Sequence, residues 1–349
     1  MNVFPFRFSE AATAARAIVC VPGSLTFSME VRVESLFKYG EIEKRPSPRT
    51  RRYGCGEQLR AQEDLSLSIY DLKPARFLKQ LHSAEIDKLS SELLCAGYEL
   101  GQWRCKAFAF HLAEWLPDYA LPEEELRLNH ANSLTKINQA AIRVYTSTKY
   151  KKRGEAGEIA LHAVCRDFFG TIPISPRVFY KSASNDVVKA FDLVHARFPE
   201  GASLEIWLGE SKLYVDGASA LADAISSIRA HIDGGFLSNE KILLGPQIPK
   251  TTPRYEEISA LFSKNTSLDE LLKCAVFAIG ILCDSSSAQQ AKDHDATYLA
   301  GAKAELEALS EALRVSGLST ALRMVLVYIP LASKTQLVEA FDSRLKGLQ

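Results

Sequence analysis

Glu210 and Lys212 end the apolar run Leu204-Glu205-Ile206-Trp207-Leu208-Gly209, and their spacing decides what they can do together. Side chains two residues apart on a strand share a face, so a carboxylate and an ammonium stand side by side at the rim of a sheet. Asp192 lies in a second strand-like run, Val188-Lys189-Ala190-Phe191-Asp192-Leu193-Val194, and Glu158 in a helix-like stretch before it. These are the groups that metal-assisted phosphodiester hydrolysis requires. The reaction needs a nucleophilic water, charge neutralisation on the phosphoryl oxygens and help for the departing oxygen, and a bound magnesium or manganese ion can assist all three. Magnesium prefers carboxylate and water oxygens, so Asp192, Glu210 and Glu158 are the expected metal residues. Carboxylates brought together without a cation repel, and a metal reverses that logic. Lys212 adds a point charge able to orient water or stabilise an oxyanion. A lone E-x-K is also a common exposed charge pair, and the Asp192 strand with the upstream glutamate is what raises this one above that background.

The elements that must position these residues follow from the pattern around them. Ile86, Leu89, Leu93 and Leu94 recur at helix spacing, Phe108 to Trp115 forms a second helical segment, and a third starts near Asn132. This stretch, 81–150, reads as a helical lead-in after a poorly defined segment, 1–80. Glu155 to Phe168 suits a helix stopped by Gly170. Three β-rich runs follow, Arg177 to Lys181, Val187 to Arg197 and Leu204 to Val215, with Phe198-Pro199-Glu200-Gly201 as the turn of a hairpin that would make the Asp192 and Glu210 strands neighbours. A helix Ala218 to His231, a buried strand Cys274 to Cys283, a long helix Ala288 to Leu313, a strand Leu322 to Ile329 and a helix Lys334 to Leu345 complete the order. The fold class is α/β (α+β): a mixed sheet flanked by helices, with the chemistry in 151–349.

Composition narrows the partners. The 349 residues carry 42 Lys plus Arg against 42 Asp plus Glu, so no overall field draws the chain to a polyanion. Any grip on one must be local, as in the basic loop Lys44 to Arg52, or supplied by another protein. The 7 cysteines, Cys20, Cys55, Cys95, Cys105, Cys165, Cys274 and Cys283, lack a C-x-x-C pair and read as reduced residues of a cytoplasmic protein. The apolar stretch Leu271 to Cys283 is too short to span a bilayer, which takes roughly 20 residues. Ala11 to Val21 is interrupted by Arg16 and lacks a signal-peptide layout. Met29 leaves open an optional extension before it. His162 and His195 could be acid-base groups but read more readily as satisfied structural histidines, Glu155 reads as a first-turn helix charge with a site role as the alternative, Glu123-Glu124-Glu125 as a solvated helix start, and Trp103, Trp115 and Trp207 as core.

Ordered motifs add to this reading: Arg153-Gly154-Glu155-Ala156-Gly157-Glu158, then Phe179 to His195, then Trp207-Leu208-Gly209-Glu210-Ser211-Lys212-Leu213-Tyr214, with Trp115-Leu116-Pro117-Asp118-Tyr119 upstream and Ile329-Pro330-Leu331 downstream. Together they resemble HamA, the nuclease-like subunit family of the Hachiman antiphage defence system, over roughly Phe108 to the C-terminus. The resemblance implies a divergent PD-(D/E)XK core (restriction-endonuclease-like) in which Asp192, Glu210 and Lys212 take the D…E-x-K roles and Glu158 that of the helical glutamate. It also implies magnesium-dependent DNA cleavage and a HamB-like helicase partner that restrains and delivers the nuclease. Two positions depart from the pattern: Ala190 stands where glycine is expected, and Phe191 replaces the proline of the PD signature. The alternatives are a non-catalytic adaptor that binds the helicase or DNA ends, and a ribonuclease, since the metal chemistry does not depend on the sugar.

Overall fold

The computed structural model describes residues 69–348 apart from 128, 146–153, 176–190 and 234. The basic loop, the strand expected at Arg177 to Lys181 and the start of the one expected at Val187 lie outside the described residues, as do Cys20 and Cys55. Among the described residues seven strands form one sheet: β1 (Lys79–Ile86), β2 (Leu89–Cys95), β5 (Ile172–Pro173), β6 (Leu193–Arg197), β7 (Glu205–Tyr214), β8 (Ala275–Asp284) and β9 (Arg323–Leu331), in the order β1-β2-β9-β8-β7-β6-β5. β3 (Tyr98–Glu99) and β4 (Gln102–Trp103) make a separate small hairpin. The sheet is mixed, with β2, β9, β8 and β7 parallel in succession and β1, β6 and β5 antiparallel to their neighbours. This is the helix-flanked mixed sheet that the sequence predicts.

Covering on both faces explains the run of β8, Ala-Val-Phe-Ala-Ile-Gly-Ile-Leu-Cys, which is buried throughout. On one face α4 (Glu155–Phe168) packs with α1 (Cys105–Glu114), α2 (Leu116–Ala120), α3 (Ser133–Tyr145) and α12 (Lys334–Lys346) around Trp207, Leu213, Ala278 and Leu282. The other face carries α5 (Gly217–Asp233), α6 (Phe236–Leu244), α7 (Tyr255–Leu261), α8 (Leu268–Cys274) and α10 (Ala296–Val315) over Leu208, Phe277, Ile279 and Ile281. Pro330 sits in β9 beyond the last residue of that strand paired with β2, where its missing N–H leaves no ladder bond unmade.

Three expectations are corrected. The Ile86-to-Leu94 stretch is not helical: it is the β1–β2 hairpin, and Leu93 and Leu94 enter cores on opposite faces of the sheet as strand alternation requires. Its spacing mimicked a helix because Ser90, Ser91 and Glu92 fall consecutively on both faces of a buried strand and break the period-two alternation. The long helix expected from Ala288 is two helices, α9 (Ser286–Gln290) and α10, because Asp295 restarts the chain as an N-cap, accepting from Tyr298 N at 2.8 Å. Glu123 to Glu125 form a turn, where Glu125 receives Arg143 at 2.8 Å. No helix among the described residues is long and apolar enough to cross a membrane.

Candidate active site

β6 and β7 are the antiparallel neighbours that the hairpin spacing predicts, with Leu193 opposite Gly209. Asp192 precedes β6 and is fastened to β7 twice: its N–H donates to Gly209 O at 2.8 Å and its Oδ2 accepts from Ser211 N–H at 2.8 Å. Those two bonds straddle Glu210. Lys212 Nζ lies 2.7 Å from Glu210 Oε1, the carboxylate buried and the ammonium half-buried. Burial works against the Lys212 charge, but Glu210 beside it and the negative charge of Asp192 outweigh this and raise its pKa above the ordinary lysine value. Lys212 is therefore an ammonium at neutral pH.

The faces of β7 separate the groups. A Cβ on Gly209 would meet Leu161 of α4 at 3.1 Å, and one on Gly157 would meet Ser211 Oγ at 2.9 Å and Leu213 Cβ at 3.2 Å, so Gly209, Ser211 and Leu213 face α4. Gly157 thus permits a close approach of helix and strand that a larger residue would prevent. By alternation Glu210, Lys212 and Tyr214 face α5, and Tyr214 OH indeed donates to Asp223 of α5 at 2.6 Å. Glu158 stands on α4, across β7 from Glu210, and accepts from Tyr119 OH at 2.5 Å. Tyr119 and Asp192 line the same small cleft. The fold therefore brings Asp192, Glu210 and Lys212 together, while Glu158 stands on the α4 side of β7. Among the described residues no group of three or more His, Cys, Asp or Glu side chains is placed to hold a metal ion. The donor chemistry of Asp192 and Glu210 still suits magnesium, which usually takes one or two protein carboxylates and keeps several waters. Ser211 Oγ, on the α4 face opposite Glu210, is buried with no hydrogen-bond partner among the described residues.

Behind Asp192 lies a support with no signal in the sequence pattern. Phe191 N–H donates to Glu240 Oε1 at 2.9 Å, and the Phe191 ring stacks on His231 with centroids 4.1 Å apart. His231 and Glu240, on α5 and α6, are themselves 3.3 Å apart and buried. They clamp the peptide that carries Asp192.

The matching family model is HamA, over residues 75–345. The chain belongs to the HamA family. Membership places it in Hachiman antiphage defence, a system with further subunits. No curated protein matches the chain. In this HamA-family fold the two histidines of the sequence reading are joined into one buried chain on the α4 side of the cleft. His162 Nε2 lies 2.7 Å from Asp118 Oδ1, its Nδ1 3.1 Å from His195 Nε2, and His195 Nδ1 2.8 Å from Thr171 Oγ1. Arg166 closes the network on Asp118 at 3.1 Å and on the carbonyls of Thr171 and Tyr70. Burial drives the His195 pKa well below its ordinary value, aided by His162 and Arg166. Burial would raise Asp118, but the hydrogen bonds and charges of His162 and Arg166 hold it below the usual carboxylate range. Sequence reasoning placed Asp118 and Tyr119 only within a motif, Trp115 to Tyr119, and did not assign them contacts.

Proposed function

We propose that the chain is the nuclease of its Hachiman system: a metal-dependent enzyme that hydrolyses DNA phosphodiester bonds in the cytoplasm and acts with a helicase partner. The observation that carries this reading is the juncture of Asp192, Glu210 and Lys212 on neighbouring strands. Asp192 and Glu210 would hold magnesium or manganese, and Glu158 would complete the shell through water from the α4 side. The ion, when bound, supplies Lewis acidity toward the phosphoryl oxygen and lowers the pKa of bound water. Lys212, kept charged by its carboxylate neighbours, orients the attacking water and neutralises charge developing on the phosphoryl group. Asp192 is fixed by the Gly209 and Ser211 peptides, so its carboxylate is held in place without a search through rotamers. The neutral overall charge fits a nuclease whose partner provides much of the DNA grip.

One observation favours a second reading. Glu210 and Lys212 already satisfy each other at 2.7 Å, as they would in an adaptor whose nuclease-like sheet only binds the helicase or DNA ends. Incubating the purified chain and its helicase with matched DNA and RNA, with and without chelator, separates the readings. DNA loss that needs the divalent ion and disappears in Glu210→Ala/Lys212→Ala supports the nuclease. Degradation of RNA alone makes it a ribonuclease, and full activity in the double variant, with contaminants excluded, removes the assignment.

A further inference from the structure

A second feature lies away from the carboxylates, where α1 and α12 meet. Two adjoining grooves, with cavity volumes of about 640 and 510 Å³, share Lys106 and Arg344 in their walls, and Arg76 and Arg104 extend the second. These cations differ from most arginines of the described chain. Arg143, Arg166, Arg197, Arg254, Arg314 and Arg323 are each in an ion pair with a carboxylate. Among the described residues Arg76, Arg104, Lys106 and Arg344 are in none. Three of them rest instead on aromatic faces: Arg104 over Phe77 at 4.7 Å, Arg344 over Phe110 at 4.8 Å and Arg76 over Phe168 at 4.4 Å. A ring fixes a guanidinium without neutralising it, and of these three Arg76 also donates to the Asp167 carbonyl and Arg104 Nε is buried. Glu114 and Glu339 also line the grooves, so cations outnumber carboxylates there in a chain whose total charge is +0.

We infer that the α1–α12 groove is a binding surface for single-stranded nucleic acid, separate from the carboxylate site. Unpaired cations in a trough match a phosphate backbone, and Phe110, 46% exposed at the groove, offers a face on which an unpaired base can stack. Stacking selects a single strand, because a duplex buries its base faces between neighbouring pairs. The groove meets the C-terminal end of α4, where Arg76 lies over Phe168. Glu158 is near the helix's other end, about 15 Å away at 1.5 Å per residue. A strand held here would be retained independently of whether the carboxylates act on it.

The test is fluorescence anisotropy of the full chain with a labelled oligothymidylate, in EDTA so that no turnover intrudes, over a series of salt concentrations. Lys106→Ala/Arg344→Ala is expected to weaken binding about tenfold or more and to flatten the salt dependence by about 1.4 in log–log slope, at about 0.7 per lost phosphate contact. Phe110→Ala is expected to cost about 5- to 100-fold. Glu339→Lys, which removes no contact and serves if the double variant misfolds, is expected to tighten binding. Lys346→Ala, whose ammonium is paired with Asp342 outside the groove, is expected to change nothing. Unchanged affinity and slope in the folded double variant would overturn the inference, as would polyglutamate competing as well as the oligonucleotide, which would make the groove a site for an acidic protein. Loss of cleavage in Glu210→Ala/Lys212→Ala tests the nuclease reading and loss of oligothymidylate binding in Lys106→Ala/Arg344→Ala tests this one, so the two fail separately.

Discussion

Two polar clusters flank the start of β6, and they are finished to different degrees. In the Asp118–His162–His195–Thr171 chain each group hands its hydrogen bond to the next, and Arg166 closes the end, all of it buried. Around Asp192 the bonds form separate pairs rather than one chain: Asp192 accepts from the Ser211 N–H, Glu210 pairs with Lys212, and Glu158, on α4, accepts from Tyr119. A buried polar network joined from end to end rigidifies a core. Separate pairs can exchange one partner for a ligand without unmaking a whole network. The contrast separates titratable residues that sequence alone presents as similar candidates.

The largest expected effect tests the finished cluster. Asp118→Ala leaves the Arg166 guanidinium buried without its carboxylate and should cost about 3–5 kcal/mol in denaturant unfolding. A loss below about 1 kcal/mol would mean that the network is not structural, and the contrast would fail. Next comes the support behind Asp192. Glu240→Ala should cost about 1–3 kcal/mol by orphaning the buried Phe191 N–H, whereas Glu240→Gln retains an oxygen to accept it. If the clamp positions Asp192, the alanine variant should also need more divalent ion for half-maximal cleavage, and the glutamine variant should not. Equal metal requirements in the two would reduce the clamp to packing. The smallest effect is in pH. Burial lowers the His111 pKa from 6.5 to about 4, and His195 also lies well below 6.5. As pH falls below about 6.5 the unfolded chain takes up these protons before the folded chain does. Stability should therefore drop by on the order of 1 kcal/mol per histidine between pH 7 and 5. A thermal midpoint that is flat or rising over that interval would show the histidines are not buried neutral.

What could be read from the sequence follows the reach of each interaction. The α4-to-β7 core was legible because a capped amphipathic helix and a strand hairpin are both written in local spacing, so Asp192 and Glu210 became neighbours from pattern alone. The β1–β2 hairpin was misread because the consecutive polar residues Ser90, Ser91 and Glu92 fall on both faces of β2 and break the alternation that marks a strand. The helices α6, α7 and α8 were missed: they are short, and their apolar stripes span only a few turns. Glu240 could not be found at all, since its partner is a backbone amide 49 residues away and such a bond leaves no periodicity. The side of β7 on which Glu158 stands depends on how a helix seats on the sheet, which Gly157 and Gly209 permit without announcing the outcome.

Because β2 lies beside β9, the interior of the sheet joins strands from opposite ends of the described chain. A ribosome must deliver Arg323–Leu331 before Leu89–Cys95 has its parallel neighbour, so a prematurely terminated product keeps two raw edges where the finished molecule has a continuous ladder. The sheet is therefore complete only once synthesis has nearly reached the last helix, and fragments released earlier would carry aggregation-prone strand edges.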